Sequence, residues 1–214
     1  MTKTKRNELK KELKYALHVC VRPFDGFWDL KHEKRGSVEA ASIIFAAWLI
    51  IQALAYRYTG VVVYIVNWEY FNVWRQVLMM ATPILLWCIA NWCLTTLMDG
   101  KGTFKDIYIA SCYALTPYVL INPILIVLSN ILAYDELAFY WFLLSFSSIW
   151  FFFLMLVAMK ETHEYSMGKA FFSSLLTIFG IGVMIFLFFI FFSLITNAIA
   201  FFISTYKEVV FRFY

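Results

Sequence analysis

The chain has 214 residues, of which 63% are hydrophobic and 21% aromatic, while only 15% are charged. A soluble domain is roughly 45–50% apolar and about 25% charged, so a soluble enzyme domain, a disordered chain and a collagen-like chain are excluded. The net charge of +4 is local, because ten of the eighteen Lys and Arg residues lie in the first 35 positions.

Residues 5–20, KRNELKKELKYALHVC, place Leu9, Leu13, Ala16, Leu17 and Cys20 on one face at helical spacing. Two arrangements fit this basic amphipathic helix: lying in the headgroup region, or packing on the protein's own cytosolic loops. A confined basic segment beside a membrane favours an anionic cytosolic leaflet, by about 1 kcal/mol per basic residue. It carries no zinc-binding, forked-helix or RNA-binding pattern, so nucleic acid is not an expected partner. Pro23 stops or bends this helix. Gly26 then permits a turn, and Phe24, Phe27, Trp28 and Leu30 are expected to dip into the interface. Ser37 is placed to cap the next helix. No cleavable signal peptide is expected, since the first strong apolar run begins only near Val38.

Span 1 is expected over Val38–Tyr58, with Glu39 at its start, where a carboxylate favours a helix N-terminus. VVVYIV, residues 61–66, is too short to cross and reads as an interfacial or re-entrant segment. Trp68, Tyr70, Phe71 and Trp74 suit a membrane face. Span 2 is expected over Gln76–Leu97, bent at Pro83. Span 3, Ile107–Ala133, carries Pro117 and Pro123 and should be broken or strongly kinked, its freed carbonyls needing other partners. Span 4 covers Leu137–Met159, and the polar turn Lys160–Lys169 follows. The last run, Ala170–Tyr206, has no charge. As one helix it would be about 55 Å long, against roughly 30 Å of hydrocarbon. One tilted span 5 with its excess in the interface is preferred over two spans.

The expected fold class is therefore all-α, a polytopic integral membrane protein of five helices. Its parts are an N-terminal segment 1–37, a transmembrane domain 38–206 and a short extracytoplasmic tail 207–214. With the N-terminus inside, the segments 1–37, 98–106 and 160–169 hold fourteen Lys and Arg, against Arg57, Arg75, Lys207 and Arg212 outside. That distribution follows the positive-inside rule.

No metalloprotease, nucleophile-elbow or phosphate-loop motif occurs, so no enzymatic activity, cofactor or metal is expected. Glu161, His163 and Glu164 form the sharpest polar cluster. They read either as a solvated turn capping two helices or as a site for a divalent metal or a partner's basic patch. Asn91, Asn122, Asn130 and Asn197 suit hydrogen bonds between helices. No ionisable residue sits at mid-span, as an ion-driven carrier usually requires. Cys20, Cys88, Cys93 and Cys112 form no CxxC and read as small apolar fillers.

Three segments carry a family resemblance: PFDGFWDLKHEKRGS at 23–37, NWCLTTLMDGKGTFKDIYIASCYALTPY at 91–118 and KETHEYSMGKA at 160–170. Through them the chain resembles bacterial members of the Yip1 domain family, over about residues 20–212. The resemblance implies five helical spans after a polar cytosolic N-terminus, in the bacterial inner membrane. Eukaryotic relatives act in traffic from the endoplasmic reticulum to the Golgi and bind small GTPases. The DLYGP element of their N-terminal region is absent here, so GTPase binding is not carried over. Bacterial members are similar to proteins encoded beside sugar ABC-transporter permeases and their extracellular binding proteins. This implies a non-enzymatic accessory subunit whose partners are membrane lipids and integral membrane proteins such as permease subunits. The contact residues it points to are Trp28, Lys31, Gly100, Gly102, Lys105, Tyr113, Pro117, His163 and Tyr165. A small transporter or channel built on span 3, and a lipid-binding or membrane-shaping protein, are the alternatives.

Overall fold

The computed structural model describes residues 3–63 and 72–213, which contain eight α-helices and no strand. They are α1 (Lys3–Val21), α2 (Pro23–His32), α3 (Val38–Tyr58), α4 (Val73–Leu97), α5 (Phe104–Ala114), α6 (Thr116–Ser129), α7 (Leu137–His163) and α8 (Met167–Phe213), with a 3-10 turn at Tyr134–Glu136 before α7. Five stretches are long and apolar enough to cross a membrane: α3, α4, α5 with α6, α7, and α8. The chain is an all-α polytopic membrane protein. From residue 64 onward the segment expected at 61–66 lies outside the described residues, as do Trp68, Tyr70 and Phe71.

The helix starts have local causes. Ser37 Oγ accepts the Ala40 N–H and caps α3 as expected. Asn72 Oδ1 accepts the Trp74 and Arg75 N–H groups, which moves the start of α4 to Val73, three residues before the expected Gln76. Thr103 and Asp106 form a capping box, so the third crossing begins at Phe104 rather than Ile107. It ends at Ser129, not Ala133, where Asn130 Nδ2 donates to the Tyr58 carbonyl of α3.

The third crossing is broken as expected, on the N-terminal side of Pro117. The break falls at Leu115, and Pro117 sits in the first turn of α6, where its missing N–H costs little. The Tyr113 carbonyl accepts the Thr116 hydroxyl at 2.6 Å instead. Pro83 and Pro123 lie inside continuous helices.

The broken crossing is the centre of the bundle. Residues 111–117 are all buried, with α5 packed on α3, α4 and α7, and α6 on α3 and α7. Between membrane helices such contact rests on close packing and hydrogen bonds, since lipid is as apolar as the side chains. Asn122 Nδ2 donates to Gln52 Oε1 at 3.0 Å across the α6–α3 contact.

α1 and α2 form a hairpin packed on the bundle, α1 against α3, α5 and α6 and α2 against α7, so it rests on helices and not on the cytosolic loops. Val19 and Phe27 are fully buried. Its tip reaches the midpoint of α7, where Trp150 Nε1 donates to the Cys20 carbonyl at 3.1 Å and Phe24 meets Phe153 edge to face. Two expectations are corrected here. Gly26 makes no turn; it lies within α2, where a Cβ would stand 2.8 Å from Val19 Cα, so it permits the close crossing of α1 and α2. Of the four apolar residues expected in the interface, Phe27 and Leu30 face the protein and only Phe24 and Trp28 stay exposed.

α7 runs on to His163, so Lys160–His163 end a helix rather than make a turn. Glu164 closes it in a left-handed conformation. α8 continues through residue 207 into the segment expected as a separate tail. At 47 residues it is about 70 Å long.

Candidate functional site

The chemistry of the molecule gathers at one end of the bundle, where the loop between α4 and α5 (residues 98–103) is held from three sides. From α2, Lys31 Nζ donates to the Lys101 carbonyl and to Asp106 Oδ2, both at 3.0 Å. Asp106 Oδ2 also accepts the Thr103 N–H and hydroxyl, so one carboxylate oxygen joins the helix cap to the α2 contact. From α8, Lys169 Nζ donates to the Met98 carbonyl at 3.0 Å and lies 4.2 Å from the Tyr165 ring centroid. The Tyr165 hydroxyl donates to the same carbonyl at 3.1 Å.

From α7 comes His163, 1% exposed. The Gly102 N–H donates to its Nδ1 at 3.2 Å. Nδ1 is therefore unprotonated, and the proton sits on Nε2, which donates to Asn91 Oδ1 at 2.9 Å. Asn91 Nδ2 in turn donates to Met159 Sδ. Both ring nitrogens are occupied and the ring is closed to solvent, so His163 acts as a lock between α4, α7 and the loop.

The glycines of the loop are required by space, not by backbone conformation. Neither has positive φ; the left-handed residue is Asp99, at φ 56°. A Cβ at Gly100 would lie 2.7 Å from His163 Nδ1, and one at Gly102 would lie 2.7 Å from His163 Cε1.

Glu164 holds the outer rim. It pairs with Lys101 at 2.6 Å and lies 3.6 Å from His32, which stacks on Trp28. The Lys101 hydrogen bond holds the Glu164 carboxyl below its usual range. Burial raises the Tyr165 hydroxyl.

The structure thus brings together Lys31, Gly100, Gly102, His163 and Tyr165. Trp28 reaches this group through His32 and is exposed. Lys105 is exposed on the first turn of α5. Tyr113 and Pro117 lie apart, in the core; the Tyr113 hydroxyl donates to the Glu12 carbonyl at 3.2 Å and ties α1 to α5. The Glu161–His163–Glu164 cluster does not converge. Glu161 pairs with its neighbour Lys160, His163 turns inward and Glu164 outward. Among the described residues, no group of three or more His, Cys, Asp or Glu is placed to hold a metal ion.

Sequence reasoning did not single out Asp106 or Lys169. The spacing Thr103-x-x-Asp106 is a capping-box signal that marks Asp106. Nothing in the sequence marks Lys169, whose partner is a backbone carbonyl.

The sequence profile described as Yip1 domain matches residues 17–191, which takes in the whole of this site. No curated protein and no solved structure matches the chain.

Proposed function

We propose that the chain, which belongs to the Yip1 domain family, is a non-enzymatic accessory or scaffold subunit that binds other membrane proteins, as a component or regulator of a bacterial carbohydrate ABC transporter. The observation that carries this reading is the bare distal half of α8. Beyond Thr177, no described residue of the helix is buried by its own chain. A helix of about 70 Å exceeds the roughly 30 Å of hydrocarbon that lipid alone can cover. Within this half, Ser193, Thr196, Asn197, Ala200 and Ser204 share one face at helical spacing. Small and hydroxyl side chains such as Ser193, Thr196, Ala200 and Ser204 let two helix backbones approach closely in a membrane, and an amide such as Asn197 can hydrogen-bond across the contact. The partner in this reading is a helix of a permease subunit, and the locked 98–103 loop is the cytosolic contact. The orientation that goes with it puts the N-terminus in the cytoplasm and the C-terminus outside the inner membrane.

Affinity purification of the tagged full chain in mild detergent tests the reading. Permease and ATPase subunits should co-purify in stoichiometric amounts, and the pair Ala200→Leu and Ser204→Leu should release them. A lone monomer or a homo-oligomer would overturn it. Tags at the two ends should be reached from opposite sides of the membrane; a same-side result would remove the loop as a cytosolic contact.

A further inference from the structure

Beside the locked loop lies a cavity of about 630 Å³, lined by α2, the α2–α3 connection and the first turns of α3 and α5. Its volume is within the range of small-molecule sites, about 300–1,000 Å³. The ionisable residues lining it are Lys31, Lys34, Glu39, Lys105 and Asp106. Both acids are already matched. Glu39 pairs with Lys5 at 2.6 Å, and Asp106 pairs with Lys31 at 3.0 Å. Lys34 and Lys105 have no ion pair or hydrogen bond among the described residues. The cavity therefore carries two uncompensated positive charges.

The walls are of another kind. Val38 supplies partly exposed apolar surface, backed by the buried Leu30 and Ile109. Val38 begins the first candidate crossing, and Ile109 lies near the start of the third, so the cavity sits where water meets hydrocarbon at the basic end of the molecule. Two free cations on an apolar wall at this depth match a molecule with a phosphate group at one end and hydrocarbon at the other. We propose that this cavity is a binding site for the headgroup of an anionic phospholipid, with Lys34 and Lys105 as its phosphate ligands and Val38 against its glycerol and upper acyl region. Lys31 is not a free ligand, because it already joins Asp106 to the Lys101 carbonyl. The site differs from a diffuse attraction of the basic N-terminal helix to the leaflet, since it places two charges on separate segments around one volume.

The test is native mass spectrometry of the full chain in detergent, titrated with phosphatidylglycerol or phosphatidylcholine. Phosphatidylglycerol should be retained preferentially. Lys34→Ala with Lys105→Ala should weaken that retention about 30-fold, at about fivefold for each basic residue lost near a membrane surface. Lys10→Ala with Lys11→Ala removes the same charge from the exposed face of α1 and should leave retention within about twofold; an equal loss in both pairs would overturn the site. Inorganic phosphate in the millimolar range should not displace the lipid; full displacement would make this a free-phosphate site and overturn the assignment to lipid. A measurement on the unmodified protein guards against a variant that does not fold. Acetylation footprinting in nanodiscs should show Lys34 and Lys105 protected by phosphatidylglycerol but not by phosphatidylcholine, with Lys10 and Lys11 unchanged between the two. Equal reactivity of Lys34 and Lys105 in both lipids would overturn the proposal.

Discussion

Gly102 and His163 meet backbone to ring: the Gly102 N–H donates to His163 Nδ1 at 3.2 Å, and a Cβ on Gly102 would lie 2.7 Å from His163 Cε1. The hydrogen bond and the missing side chain are one feature, because the loop can donate to the ring only where no Cβ intervenes. This contact fixes the α4–α5 loop to the end of α7 and so sets the surface that the protein offers there.

Gly102→Ala should therefore lower stability by about 1–3 kcal/mol, the usual cost of overpacking a closed site. Gly168→Ala is the matched control, since a Cβ there meets nothing within 4 Å. Thermal unfolding of the purified protein in detergent should show a clear drop in Tm for the first and none for the second.

The His163–Asn91 bond can be isolated by a double-mutant cycle. His163→Leu leaves Asn91 Oδ1 buried without a donor, and Asn91→Leu leaves the Nε2 proton without an acceptor. Each should cost about 1–3 kcal/mol. The double variant should be less unstable than the sum of the two by about 0.5–3 kcal/mol. Strict additivity in denaturant or thermal unfolding would show that the bond contributes nothing.

Lys31→Met should loosen the loop without unfolding the bundle. The Lys31–Asp106 pair is partly exposed, with side-chain accessibilities of 16% and 30%, so it contributes at most about 1 kcal/mol. Opening of the loop should rise about fivefold. Tryptic cleavage after Lys101 should speed up by a similar factor, because cleavage follows the open population.

Acid should act through Glu164. Its carboxyl is held below the ordinary value of 4.5, chiefly by the Lys101 hydrogen bond. A depressed carboxylate contributes stability that is present above its unfolded value and is lost as pH falls through the folded one. The Tm of the unmodified protein should therefore fall more steeply below about pH 4.5 than that of Glu164→Gln. Parallel pH profiles would show that the pair makes no contribution. The contribution is small, since Glu164 lies at the surface.

Much of the crossing pattern was legible from composition. Span 1 is legible at Val38–Tyr58, where α3 lies, because an apolar run follows Ser37, a cap, and carries Arg57 only in its last turn. The candidate site was only half legible. Lys31, the two glycines, His163 and Tyr165 were named through a family resemblance, but their partners Asn91, Met98 and Asp106 were not assigned to them. Gly26 reads as a turn residue in the sequence, when its role is to leave room for Val19. Steric need at a helix crossing leaves no periodic trace in one sequence.

The sequence alone determined that the chain lives in a membrane, how many times it is able to cross, and where its positive charge lies. These follow from local hydropathy and counting, because a crossing helix needs only about 20 apolar residues in a row. Tertiary structure decided where the third crossing breaks, which side of the α1–α2 hairpin is buried, and that His163 faces Asn91 rather than water. Those outcomes depend on contacts between residues such as Asn91 and His163, 72 positions apart, whose hydrogen bonds are made only once the helices are side by side.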